Sequence, residues 1–210
     1  MSNLQRTLPS SRCVDDFYRG LNWILTDKFS DDIQKCLDYG RDGGRGATIF
    51  VPGGDHYIAS TLHVWTDLTL LLDQRARIWT DQPIDMVRVY AGAELTGGTI
   101  QNTTTISGGM TDDIGVVTLV AESENRFFSN TATRVNNIYI RGQSDTRGAG
   151  LDLRALTPTT TENAALSYVM FDRLNFTGHG SGIRLSVESQ LGEPAKPFVN
   201  GNNFSNMVFA

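Results

Sequence analysis

Cysteine is scarce in this 210-residue chain. Cys13 and Cys36 are the only two, too few for a disulfide scaffold or a four-ligand structural zinc site. Histidine is nearly as rare, and His56, His63 and His179 each stand alone. No run approaches the ~20 apolar residues that span a bilayer, so an integral membrane protein is not expected. Positive charge is not in excess either: 18 Lys+Arg against 23 Asp+Glu leave a net −5. That balance argues against a phosphate-neutralising surface and against nucleic acid as a partner. The opening Met-Ser-Asn-Leu-Gln-Arg lacks the apolar core of a secretory signal, which leads us to expect folding in a cytoplasm with reduced thiols. With 40% hydrophobic and 20% charged residues, the chain is too apolar and too evenly charged for disorder.

What is present is glycine, 21 residues, with abundant Thr and Asn between short apolar runs. This is the profile of many short strands joined by turns. Near the N-terminus, Val14, Phe17, Tyr18, Leu21 and Ile24 recur at steps of three and four, which predicts an amphipathic helix over 13–27. A second helix is predicted from Asp31 to Tyr39, capped by Ser30 and stopped by Gly40 and Gly43-Gly44. Its buried side would be Ile33, Cys36 and Leu37, with Cys36 acting as a small core hydrophobe. From Ala47 the period changes to two, with strands at 47–51, 57–58, 62–64, 68–72, 77–79 and 86–90. No helical pattern separates them, which excludes a doubly wound α/β fold.

The later chain repeats. Val135-Asn-Asn-Ile-Tyr-Ile-Arg-Gly142 matches Phe171-Asp-Arg-Leu-Asn-Phe-Thr-Gly178, and Phe204-Ser-Asn-Met-Val-Phe-Ala210 follows after a similar interval. Between them, Gly148-Ala-Gly-Leu-Asp-Leu-Arg154 matches Gly180-Ser-Gly-Ile-Arg-Leu-Ser186 at nearly the same spacing. Two interleaved strand types at one period predict an all-β parallel β-helix in which equivalent strands stack ~4.8 Å apart. Ile138 and Ile140 would lie over Leu174 and Phe176, and these over Met207 and Phe209. Leu151 and Leu153 would lie over Ile183 and Leu185. A β-sandwich also has many short strands, but it does not require matching strands at matched spacing. The third unit stops at Ala210, so either a longer polypeptide or another subunit is expected to cover it.

One stretch carries a family resemblance. Ser30-Asp-Asp-Ile-Gln-Lys-Cys-Leu-Asp-Tyr39, then Gly43-Gly44, Thr48-Ile-Phe-Val-Pro-Gly-Gly54, Tyr57-Ile58 and Leu68-Thr-Leu-Leu-Leu72 resemble the entry to the pectate-lyase-like superfamily. Ser-Asp-Asp here replaces the Asp-Thr usual before the helix. The resemblance spans residues 30–80. It implies a right-handed parallel β-helix over 30–210, following an N-terminal arm at 1–29, with the helix at 31–39 capping the first coil. It also implies the settings in which such folds are common: bacteriophage tailspikes and other virion appendages, and polysaccharide lyases and hydrolases.

Those settings call for carboxylates, cations or aromatic platforms on an outward face. Glu122 and Glu124, two apart on an extended chain, form a candidate catalytic carboxylate pair, against the plainer reading of a solvated strand end. Residues 105–134 interrupt the repeat, and insertions are where binding concentrates. Asp112, Asp113 and Arg126 there, with Tyr139 and Arg141, are the candidate glycan-binding residues. Trp65, Trp79 and Tyr90 are further candidate platforms. Asp152 and Arg184, at equivalent outward positions of stacked coils, should form a structural cross-strand ion pair, worth about 0.2–1 kcal/mol if exposed. Arg141 and Arg173 lack surrounding aspartates, so no calcium or other cofactor is expected, and His179 is expected to be ordinary surface. The resulting expectation is a virion appendage subunit, homotrimeric or bound to other virion proteins, supporting recognition of host-surface polysaccharide. A depolymerase on the same fold is the alternative.

Overall fold

A computed structural model describes residues 14–15, 23–25, 30–43, 46–122, 126–128, 132–142, 147–157, 164–189 and 197–210. The fold is all-β, with three sheets of twelve, five and two strands among these residues. Pairing is parallel throughout the three sheets apart from Val14–Asp15, which runs antiparallel to Trp23–Leu25. Each full circuit after the helix adds one long strand or two short ones to the first sheet, then one strand to the second.

The register is continuous. In the first sheet Ile24, Ile49, Leu70, Leu95, Val135, Phe171 and Phe204 are successive partners. The three repeat units found by self-comparison therefore lie directly over one another. A neighbouring row in the same sheet runs His56, Ile78, Ile100, Ile140, Phe176 and Phe209. In the second sheet Leu62, Val87, Val117, Leu151 and Ile183 form the matching inward row. From Ile49, His56 and Leu62 onward these rows are the core. Apart from residues of the last rung, nearly all of their described members are fully buried, because period-two alternation points every second side chain inward.

The corners are fixed by backbone conformation. Gly46, Asp67, Gly92, Ala132, Tyr168 and Gly201 all have positive φ, and each stands two positions before a strand of the first sheet. A second column of positive φ holds Gly97, Asn137, Arg173 and Asn206, where the first sheet bends. Asn and Asp tolerate this region, while Ala, Tyr and Arg are held there by the surrounding rungs.

Three expectations are corrected. Residues 13–27 are not a helix in their described parts: Val14–Asp15 and Trp23–Leu25 are strands, and the latter joins Thr48–Val51. The Trp-Ile-Leu run gains more by completing a sheet than its helical spacing could supply alone. The second helix, here α1, spans Ser30–Gly43 rather than ending at Tyr39, and Gly40 is buried within it. It packs against Thr48–Val51 and Leu62–Val64 through fully buried Ile33, Cys36 and Leu37. Thirdly, Cys36 is disulfide-bonded, not a reduced core thiol. Cys13, the other cysteine in the sequence, lies outside the described residues. We expect alkylation of the denatured, unreduced protein to leave Cys36 unmodified. Reduction should then lower unfolding free energy by about 2–4 kcal/mol, the usual range for a native disulfide.

Candidate functional site

Two outward faces gather chemistry. On the first sheet, Asp55, Arg77, Thr99, Tyr139 and Asn175 are register partners across five strands. Beside them run Tyr57, Trp79, Gln101, Arg141 and Thr177. Strand alternation sends both columns outward while His56, Ile78, Ile100, Ile140 and Phe176 between them fill the core. At ~4.8 Å per strand the columns extend about 19 Å.

Polar contacts order this strip. Arg77 donates from Nε to Asp55 Oδ1 at 2.8 Å and from Nη2 to Oδ2 at 2.9 Å, and its Nη1 reaches Gln101 Oε1 at 3.4 Å. Tyr57 meets Trp79 edge-on, with ring centroids 5.0 Å apart. The Tyr57 hydroxyl donates to Asp81 at 2.9 Å. That bond raises the phenol pKa, while Gln82 and Tyr57 together lower that of Asp81. Further along, Tyr139 is 53% exposed. It borders a cavity of about 320 Å³ with Gln74, Gly98 and Asn137. Arg141 is exposed two positions beyond, on the same face.

The outer face of the second sheet is ionic. Asp152 is fully buried and accepts from Arg184 Nε at 2.9 Å, from Arg184 Nη2, and from Arg154 Nε. The bond to Asp152 raises the pKa of Arg184. Arg154 also reaches Asp85 at 3.2 Å and the Asp113 carbonyl. Asp85 in turn accepts from the Gly115 amide at 2.7 Å. The predicted Asp152–Arg184 pair therefore exists between register partners, and with Asp152 fully buried it is the centre of a hub. Loop 103–114 and two guanidiniums cover a position that alternation alone assigns to solvent.

Toward α1 the same face becomes aromatic. His63 stacks on Trp65 at 5.1 Å, and Trp65 lies 4.6 Å from Tyr90. Trp65 Nε1 donates to Asp38 at 2.8 Å and Arg41 covers its ring at 4.8 Å. Burial, aided by Arg88, lowers the His63 pKa. Trp65 thus docks the helix, and Tyr90 packs against Trp65 with Arg88 over its ring.

The predicted residues fall in several places. Glu122 accepts from Arg88 Nη2 at 2.8 Å. Glu124 lies outside the described residues, so the carboxylate pair is not assembled among them. Asp112 and Asp113 are exposed in the loop, where Thr111 donates to Asp113 and lowers its pKa. Arg126 is half-buried beside Phe127, which bridges to Leu166. Arg173 is exposed at its bend. Among the described candidates, Tyr139 and Arg141 come together on one outward sheet face. His56 is buried, with Nε2 donating to the Pro52 carbonyl at 2.8 Å. His179 is half-buried, its Nε2 donating to the Ile140 carbonyl at 3.2 Å, and burial lowers its pKa. It is not the surface histidine expected.

Among the described residues no three His, Cys, Asp or Glu side chains are grouped to hold a metal ion, and no helix is long and apolar enough to cross a membrane. Compared with known proteins, the chain matches no family model, no curated protein and no solved structure.

Proposed function

We propose that this chain is a right-handed parallel β-helix of the pectate-lyase-like kind, and that it serves as a virion appendage subunit. In this reading it is a homotrimer of the tailspike or tail-fibre type, contacting host-surface glycan through the first sheet's outer strip. The observation that carries the glycan reading is that strip. Tyr139 offers an exposed ring, Arg141 an exposed cation, and Gln101 and Asn175 polar groups on a sheet whose register is fixed by the buried rows, with Gln74 beside them in the adjoining turn. Sugar rings need apolar faces to stack on and fixed hydrogen-bonding groups around them. A preformed strip also avoids most of the ordering cost of binding. The disulfide at Cys36 suits a protein that works outside a reducing cytoplasm.

A depolymerase on the same fold is the second reading. It is favoured by exposed Arg141, a cation on the same face as Tyr139 that would pair with the carboxylate of a uronate. Purified protein should sediment as a trimer and bind capsular polysaccharide of a susceptible host. Tyr139→Ala should weaken that binding at least tenfold, about 1.4 kcal/mol, without altering sedimentation. A monomer that ignores polysaccharide would overturn the proposal. New reducing ends or unsaturated uronate absorbance, abolished by Arg141→Ala, would establish the depolymerase instead.

A further inference from the structure

Tyr168 is out of character with its column. The corner positions before the strands of the first sheet are Gly46, Asp67, Gly92, Ala132, Tyr168 and Gly201, all with positive φ. The others are glycine, aspartate or alanine, whereas Tyr168 carries a phenol ring at φ 59°, a region that a bulky side chain enters at a steric cost. Little inside the fold offsets that cost. Tyr168 is 55% exposed, and among the described residues no hydrogen bond or ring contact engages its side chain. The ring lies along Gly201 of the next rung, where an added Cβ would stand 3.4 Å from Tyr168 Cε1. Met170, two positions on, is 48% exposed, and its register partner in the rung below is exposed Arg134. Tyr168 and Met170 belong to a rung with another on each side, Ala132 and Arg134 below, Gly201 and Asn203 above. Their exposure is therefore a property of the corner. The Arg134 guanidinium has no hydrogen bond or ion pair among the described residues. Carboxylates on the same outward face are already engaged, Glu94 by Asn136 at 2.9 Å and Asp172 by Ser205 and Asn206, each at 2.7 Å.

We propose that Tyr168, Met170 and Arg134 form a binding site for an acidic sugar residue, separate from the strip that carries Tyr139. The apolar face of a pyranose stacks on the Tyr168 ring beside the Met170 thioether, and its carboxylate pairs with the unengaged Arg134 guanidinium, one strand or ~4.8 Å from Met170. The left-handed backbone and the Gly201 shelf set the ring in place before a ligand arrives, which reduces the ordering cost of binding. Strain kept at an exposed aromatic residue is thereby explained by what the ring does for a ligand, since it does little for the fold. The strand Met170–Thr177 bends at Arg173, between this site and Asn175 of the strip, so the two sites occupy different facets. The inference shares the glycan reading of this protein but does not require the strip.

The test follows the Met170 methyl by NMR in the full chain with isotope-labelled methionine methyl groups, the resonance being assigned through Met170→Leu. The probes are D-glucuronate and its neutral counterpart, methyl glucoside. D-Glucuronate is expected to shift the Met170 methyl saturably, and methyl glucoside to bind about tenfold more weakly or less. Tyr168→Gly suits the backbone of this corner and should leave circular dichroism unchanged, yet weaken glucuronate binding at Met170 by about tenfold, as should Arg134→Gln. Tyr168→Phe keeps the ring and should stay within about threefold of the unsubstituted protein, because the hydroxyl has no partner to lose. The readout is local to Met170, so failure here leaves the Tyr139→Ala test of the strip standing, and failure there leaves this one. Absence of a saturable shift, or a shift that both Tyr168→Gly and Arg134→Gln retain, would overturn the proposal. A Met170 resonance that moves on dilution of the protein and ignores glucuronate would overturn it in favour of contact between copies.

Discussion

Gly97→Ala is expected to destabilise the fold by about 3–5 kcal/mol, or to prevent its recovery as folded protein. Gly97 occupies the bend of the first sheet with φ +85°, and an added Cβ would lie 2.1 Å from the Leu72 carbonyl oxygen. That contact is to backbone of the preceding rung, which cannot step aside without shifting the row Leu70, Leu95 and Val135. Gly46 supplies the comparison. Its φ is +76°, yet a Cβ there meets nothing within 4 Å. Gly46→Ala should therefore cost only the left-handed backbone penalty, about 1–2 kcal/mol. Urea denaturation of the two variants separates close approach from conformation. Equal losses would show that the rungs are not packed as tightly as the geometry requires.

Asp152→Ala is expected to cost about 3 kcal/mol, the lower end of the range for breaking a buried ion pair. The carboxylate is fully buried, but Arg154 and Arg184 retain 21% and 24% side-chain exposure, so both can regain some water once it is gone. A second substitution, Arg184→Leu in the Asp152→Ala background, should recover part of the loss by removing a stranded charge. The Arg77–Asp55 pair, at 40% and 63% exposure, is the control. Deleting Asp55 should change stability by no more than about 1 kcal/mol. Chemical denaturation measures all of these, and a loss at Asp152 no larger than at Asp55 would contradict the hub.

How far the fold was legible depended on rung length. The later circuits, from Ala132 to Tyr168 and from Tyr168 to Gly201, are closely similar in length. Self-comparison therefore aligned Val135, Phe171 and Phe204 without help. The earlier circuits lengthen in turn from Gly46 to Asp67, from Asp67 to Gly92 and from Gly92 to Ala132, and no fixed period connects them. Their strands were visible as alternating runs, but their partners were not. For the same reason Tyr139 and Arg141 could be placed on one outward face, whereas Arg77, Trp79 and Gln101 could not be placed beside them. The strand Trp23–Leu25 was hidden by apolar spacing that also fits a helix, and only pairing with Thr48–Val51 decides between the two. Asp152 read as surface because alternation reports which side of a sheet a residue occupies, not what lies over that side.

The corner column has a practical consequence. Left-handed residues recur at one place in every circuit, although the stretch from Gly92 to Ala132 is nearly twice that from Gly46 to Asp67. Growth between corners is thus absorbed sideways, in segments such as loop 103–114, and never along the stacking direction. A foreign epitope or affinity tag spliced into the exposed stretch of that loop at residues 106–109, away from Asp113, should leave every other layer where it was, making the molecule a ready frame for display.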